Sequence, residues 1–259
     1  MGQCSMTVAL PILSACGHET CILPTALLST HTGGFGKPVV AHMGEALDGM
    51  WKHWKANGIT FDAILVGYLG SISAIEITER ILEEMLAPGG VGIVDPAMAD
   101  HGKLYSGFDD KYAQAMERLC RKADIIIPNI TEAAMFARIP FRESLDKAYV
   151  SELLAKVNHP CVVLTGVGYQ DNETGAAVYR DGTVESYIHP RADKNFHGTG
   201  DMFAASFTGA LMQEKTIAES VKIAADFVCK AIENTCAVPA HWYGVKFETA
   251  LPDLIRWLN

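Results

Sequence analysis

Disulfide chemistry is the first thing this chain lacks. Its 259 residues hold seven cysteines, Cys4, Cys16, Cys21, Cys120, Cys161, Cys229 and Cys236, an odd and scattered set with no Cys-x-x-Cys pair. That spacing excludes a stapled secreted scaffold and reads as reduced cytosolic thiols, mostly packing residues. No run of lysine and arginine stands out, and 21 basic against 30 acidic residues leave a net charge of −9. Nucleic acid is therefore not an expected partner. No apolar run is long and clean enough for a membrane span. No basic segment precedes an apolar one at the N-terminus, so no secretory signal is visible and a cytoplasmic location is expected. The nine histidines show no metal-ligand spacing. No Gly-x-Gly-x-x-Gly loop follows an early strand, which sets aside a dinucleotide oxidoreductase. There is no internal repeat, low-complexity tract or obvious linker.

What is present is enough apolar material for one sizeable core. Hydrophobic residues make up 49% of the chain, consistent with a single α/β domain over residues 1–259. "TVALPILSACG" reads as a helix closed by Gly17, "ETCILPTALLS" as a strand, and "PVVAHMGEALDGMWKHWKANG" as a helix ending at Gly58. "FDAILVGYLG" reads as a strand. The stripe at 75, 77, 81, 82, 85 and 86 predicts a helix stopped by Pro-Gly-Gly, followed by a short buried strand "VGIVDP". Then come a helix "KYAQAMERLCRKA", a strand "DIIIPN", a short helix "TEAAMFARI" and a strand "CVVLTGVG". A hairpin turns at Asp181-Gly182, and helices at 199–213, 216–234 and 248–258 close the chain. This alternation implies a mostly parallel central sheet with helices on both faces. Ligands in such sheets bind beyond the carboxyl ends of the strands.

Polar residues collect at those ends. "VDPAMADHGKLY" puts Asp95 and Asp100 after one strand, "IPNITEA" puts Asn129 and Glu132 after the next, and "VVLTGVG" puts Thr165 and Gly166 after a third. Tyr68 ends the strand in "VGYLG". "HGTGDMFAASF" then opens a helix with Asp201 directly behind Gly198, Thr199 and Gly200. A helix start exposes unpaired N–H groups, and glycines let an anion approach them. Asp201 by itself is either a first-turn capping acid or a base beside an anion hole. Each stretch alone is weak evidence; the four in this order are strong.

"DPAMADHGKLY", "PNITEA" and "HGTGDMFAASF" resemble the three most specific motifs of the pyridoxal kinases, within the ribokinase-like superfamily. The resemblance runs over nearly the whole chain. It implies a three-layer ribokinase-like fold and ATP-dependent phosphorylation of pyridoxal, pyridoxine or pyridoxamine at the 5′-hydroxyl. Asp201 would be the base for the substrate alcohol, with the N–H groups of Gly198, Thr199 and Gly200 holding charge on the transferring phosphoryl. Asp95 and Glu132 would hold Mg²⁺ largely through its waters, with Asp100 in the same acidic cluster. Asn129, Thr165 and Gly166 would serve the ATP phosphates, with Lys194 and Phe196 beside the anion hole. In "LSTHTGGF", Thr32 would contact the pyridine ring, with His31 and Gly33 shaping the loop, and Tyr68 would pack against the ring. A monovalent cation such as K⁺ and a homodimer are further implications of the family.

Related hydroxymethylpyrimidine kinases share the Asp-Pro and Pro-Asn elements but commonly carry cysteine where this chain has Asp201. A hydroxymethylpyrimidine kinase and a catalytically weak B6-binding protein are the alternatives. Two departures from the family pattern stand out. The first strand of the family is expected upstream of residue 1, and Ile127 replaces a threonine usual before Pro-Asn.

Overall fold

The computed structural model describes residues 1–31, 34–192, 194, 196–238 and 240–259. Its elements run α1 (Met6–Ala15), β1 (Ala26–Leu28), β2 (Val40–His42), α2 (Gly44–Ala56), β3 (Phe61–Val66), α3 (Ile72–Met85) and β4 (Leu86–Val94). They continue through β5 (Ala99–Asp100), β6 (Lys103–Leu104), α4 (Asp110–Cys120), β7 (Ile125–Ile126), α5 (Ile130–Ala137), α6 (Lys147–Val157) and β8 (Cys161–Thr165). The last are β9 (Glu173–Arg180), β10 (Thr183–Pro190), α7 (Thr199–Leu211), α8 (Ile217–Cys236), a 3₁₀ turn (Phe247–Ala250) and α9 (Leu251–Leu258). Two compact units result: residues 44–191, and residues 1–43 with 192–259.

The first of these is built on a six-stranded sheet in the order β10-β9-β8-β7-β4-β3. The pairs β3–β4, β4–β7 and β7–β8 are parallel, while β8–β9 and β9–β10 are antiparallel. Cys161, Val162, Val163 and Leu164 of β8 are all buried. Successive strand residues point to opposite faces, so both faces of the sheet are covered there. Side chains set where the connecting helices begin. Ser71, Asp109 and Asp146 each accept a hydrogen bond from a backbone N–H in the first turn of α3, α4 and α6. The β9–β10 turn has positive φ at both Asp181 and Gly182, the geometry that matches the twist of paired strands.

Several boundaries differ from the sequence expectation. The Pro-Gly-Gly stretch does not separate α3 from β4; it lies inside β4, where the pairing with β3 shifts between Phe61 and Ala63. Proline and glycine are tolerated there because a register shift releases the ladder locally. The strand expected over 19–29 shrinks to β1, which pairs with β2. The helix expected to begin near Pro38 is preceded by that β2 strand and starts only at Gly44. α6 and the small β5–β6 ribbon have no counterpart in the sequence reading.

In the other unit, α7 packs on α1 and α8, and the 3₁₀ turn and α9 pack on α8. α1 and α7 approach closely because Gly209 has no side chain: a Cβ there would stand 2.4 Å from Cys16 Sγ and 2.8 Å from its Cβ. The crossing is tied by Gln213 Nε2, which donates to Cys16 O at 2.8 Å, and by His18 Nε2 beside Gly209 O at 2.9 Å. Overpacking of this kind costs about 1–3 kcal/mol. Gly209→Ala should therefore lower stability by that amount in urea unfolding, and Cys16→Ala in the same chain should recover part of the loss.

Candidate functional site

Residues 44–191 carry an acidic cluster at the carboxyl ends of β4 and β7. Glu132, only 1% exposed, sits in the first turn of α5. Its Oε1 accepts from the N–H of Met98 (2.8 Å) and Ala99 (3.3 Å), and its Oε2 from the N–H of Asn129 (2.9 Å). Asn129 caps the same helix by accepting from Glu132 N–H at 3.0 Å, and its Nδ2 donates to Ala99 O at 2.7 Å. Burial pushes the Glu132 pKa up to about 7 against the pull of these N–H donors, with the Asp100 charge adding to the rise.

Asp95 follows β4 directly. Its N–H donates to Val66 O at 2.8 Å and its Oδ1 accepts from Ala97 N–H at 3.2 Å. Asp100 is exposed and lies 3.6 Å from His101 Nε2. Thr165 bridges to Asn129 in parallel, its N–H donating to Pro128 O at 2.9 Å. Gly166 adopts φ +79° beside it. Asp95, Asp100, Asn129, Glu132, Thr165 and Gly166 are thus gathered on adjacent strand ends. No group of three or more His, Cys, Asp or Glu residues suited to a metal ion occurs among the described residues. Two hard carboxylates do fit magnesium, which keeps several waters and takes the rest of its shell from substrate phosphates.

Residues 1–43 and 192–259 carry the second cluster. Gly198 is the N-cap of α7 at φ +84°, and a Cβ there would stand 1.9 Å from Gln3 O. Only glycine fits a position that is both left-handed and in contact with another backbone. Gln3 is itself anchored, its N–H donating to Tyr243 O at 3.2 Å and its Nε2 to Glu248 Oε1 at 2.6 Å. Asp201 lies in the first turn of α7. Burial raises its pKa above the ordinary carboxylate value, opposed by a hydrogen bond from Ser5 N–H and by the His31 charge. The donor to Asp201 thus comes from the segment before α1, which places the acid beyond a simple helix cap.

His31 stacks on His197, ring centroids 4.2 Å apart and 10° from coplanar. Burial, with His31 nearby, lowers the His197 pKa. Phe196 O accepts from Thr199 Oγ1 at 3.3 Å, and Lys194 is exposed. Thr32 and Gly33 lie outside the described residues. Ser5, Gln3, His197 and the amides of Met98 and Ala99 were not singled out by sequence reasoning. Ser5, at φ +56°, carries no pattern that marks it. Tyr68, in the loop after β3, stacks on Phe108 with ring centroids 5.6 Å apart.

Comparison with known proteins bears on the fold and the family. The fold is ribokinase-like. It superposes on a crystal structure of pyridoxal kinase from Lactobacillus plantarum with a TM-score of 0.91 at 31% identity, covering 99% of this chain and 93% of that one. It also superposes on a Bacteroides thetaiotaomicron protein provisionally titled a phosphomethylpyrimidine kinase, in its crystal form with pyridoxal. There the TM-score is 0.90 at 31% identity, covering 98% of this chain and 91% of that one. The hydroxymethylpyrimidine/phosphomethylpyrimidine kinase of Bacillus subtilis is 30% identical over 182 residues, 68% of this chain. The match spans 65% of the Bacillus protein's own length. The family model described as phosphomethylpyrimidine kinase matches residues 42–245, and the chain belongs to that family. Among the described residues, no helix is long and apolar enough to cross a membrane.

The raised pKa of Asp201 has a consequence for stability. A carboxyl whose folded pKa exceeds its unfolded value, about 4, stabilises the fold below that value and loses this contribution as pH rises through the folded pKa. Asp201→Asn keeps an acceptor for Ser5 N–H and removes the buried charge. Its melting temperature should exceed that of the parent protein at pH 8 by a few degrees, at about 2–4 °C per kcal/mol for a chain of this size. At pH 4 the difference should shrink, and thermal unfolding at both pH values checks it.

Proposed function

We propose that the chain is an ATP-dependent kinase acting on the primary alcohol of a planar heteroaromatic ring, with the B6 vitamers as its acceptors. The observation that carries this reading is Asp201, a carboxyl of raised pKa in the first turn of a helix that opens on two glycines. A raised pKa brings the base closer to working pH. Asp201 takes the proton from the alcohol as its oxygen bonds to the γ-phosphorus and the bond to the ADP leaving group breaks. The N–H groups of Gly198, Thr199 and Gly200 stabilise charge on the transferring phosphoryl.

Asn129, Thr165 and Gly166 serve the ATP phosphates, with Lys194 and Phe196 as further contacts. Asp95 and Glu132 would hold Mg²⁺, with Asp100 adding negative potential; the ion supplies neutralisation of phosphate charge. Tyr68, His31 and Thr32 hold the ring. A homodimer, a cytoplasmic location and use of K⁺ accompany this reading. Asp201 favours the B6 branch, since hydroxymethylpyrimidine kinases commonly have cysteine there. The pyridoxal-containing neighbour is further support.

The second reading is a hydroxymethylpyrimidine or phosphomethylpyrimidine kinase, favoured by the family model and the Bacillus relative. A coupled ADP-release assay with Mg²⁺-ATP separates the readings when run in parallel with pyridoxal, pyridoxine, pyridoxamine, hydroxymethylpyrimidine and ribose. Turnover confined to the three vitamers is expected. Turnover with the pyrimidine alone establishes the second reading, and silence with all five counts against turnover by this chain, with vitamer binding then measured directly. Asp201→Ala should lower kcat by about 10²–10⁴-fold with ATP affinity retained. The acid limb of kcat/KM should lie above the ordinary carboxylate range and vanish in that variant.

A further inference from the structure

Tyr68 is 41% exposed, yet it is not a loose aromatic. Its ring lies against Phe108, centroids 5.6 Å apart and planes at 28°. Phe108 in turn stacks on Tyr112, centroids 3.6 Å apart and planes at 6°. The three rings form a continuous stack from a buried end, Tyr112 at 3% exposure, to the exposed end at Tyr68. The opposite edge of Tyr68 is bounded by Gly70 at φ +77°, where a Cβ would stand 3.2 Å from Tyr68 Cε1. The hydroxyl of Tyr112 faces the Leu69 and Gly70 amides, and burial raises its pKa.

The middle ring is held from behind. Phe108 N–H donates to Tyr105 O at 3.1 Å, Tyr105 N–H to Met98 O at 2.8 Å, and Met98 N–H to Glu132 Oε1 at 2.8 Å. Asp109, the next residue, caps α4 by accepting from Tyr112 N–H at 2.9 Å. Phe108 is thus held by backbone on both sides, and its ring lies against that of Tyr68.

We propose that Phe108 is a positioning residue for the acceptor ring, acting through Tyr68. The proposal rests on the kinase reading above and deepens it. A planar heteroaromatic acceptor stacks on an aromatic face only where that face is presented at one angle. Removing the backing ring frees Tyr68 to rotate and weakens acceptor binding, and it leaves the phosphoryl-transfer groups in place. The effect therefore falls on the KM of the acceptor and not on kcat or on the KM of ATP.

The test compares Phe108→Leu, Phe108→Met and Phe108→Tyr with the parent protein, using pyridoxine and, separately, hydroxymethylpyrimidine as acceptors. In the Leu and Met variants the acceptor KM should rise by about 2- to 10-fold, the worth of one stacked aromatic contact. Both kcat and the KM of ATP should stay within about twofold, and Phe108→Tyr should restore the acceptor KM. The Met variant has a flexible side chain that adapts to the space left by the ring, and it carries the test if the Leu variant fails to fold. Unchanged acceptor KM in the folded variants overturns the proposal. So does a parallel rise in both KM values with a lowered melting temperature, which marks a merely structural role. A parent protein silent with both acceptors overturns the kinase reading and this inference with it; an active parent with unaffected variants overturns this inference alone.

Discussion

The buried carboxylate of Glu132 is the interaction on which the chemistry-bearing end of the sheet depends. It is desolvated, and three backbone N–H groups converge on it, from Met98, Ala99 and Asn129. Charged acceptors make the stronger class of hydrogen bond, and losing one leaves buried donors unsatisfied. Glu132 therefore does two things. It closes a capping box that starts α5 at the residue after Asn129. It also docks the loop after β4 onto that helix, assisted by Thr131 Oγ1, which accepts from Gly102 N–H at 3.0 Å. From there the order propagates along the chain, through Met98 to Tyr105 and on to Phe108. The carboxyl of Glu132 is thus committed to holding backbone on both sides of it.

Asp201 presents the opposite case. Burial raises its pKa as it does that of Glu132, but among the described residues the backbone donor acting on its carboxyl is Ser5 N–H, where Glu132 has three. A carboxylate with few donors keeps proton affinity, the property a general base requires. Its position is secured indirectly, by the fit of Gly198 against Gln3 O and by the anchoring of Gln3 to Tyr243 and Glu248. Among the described residues the two acids thus differ in the number of backbone N–H groups that face them.

Much of this was legible in the sequence, and the reasons are local. Asn129 and Glu132 are three residues apart before an apolar run, and that spacing is itself the capping box. Asp181-Gly182 specifies its turn because both residues tolerate positive φ. Asp201 behind two glycines announces a helix start. What could not be read depends on contacts distant in sequence. Ser5 and Gln3 matter only because α7 packs beside their segment, nearly two hundred residues away. His31 and His197 meet through the same long-range packing. The start of β4 is not legible in the sequence because Pro-Gly-Gly usually ends structure, and here a register shift against β3 absorbs it. Tyr68 was visible as a strand-end aromatic, but the rings behind it belong to a loop and a helix some forty residues on.

This chain is similar both to a pyridoxal kinase and to a hydroxymethylpyrimidine/phosphomethylpyrimidine kinase. Pyridoxal and hydroxymethylpyrimidine both offer a primary alcohol on a flat nitrogen heterocycle. Proton removal, phosphate binding and charge neutralisation are the same task for either, so the residues that perform them carry little information about the ring. Discrimination has to come from groups that meet the ring's face and edge. A stacking face is tolerant, since every aromatic ring offers a π surface, and the contact is worth only about 0.5–1.5 kcal/mol. Edge hydrogen bonds discriminate far more strongly, because a missing partner strands a buried polar group. On the proposed reading, the stack of Tyr68 on Phe108 would bear on how well any flat acceptor binds and would leave the choice of ring to groups that meet its polar edge.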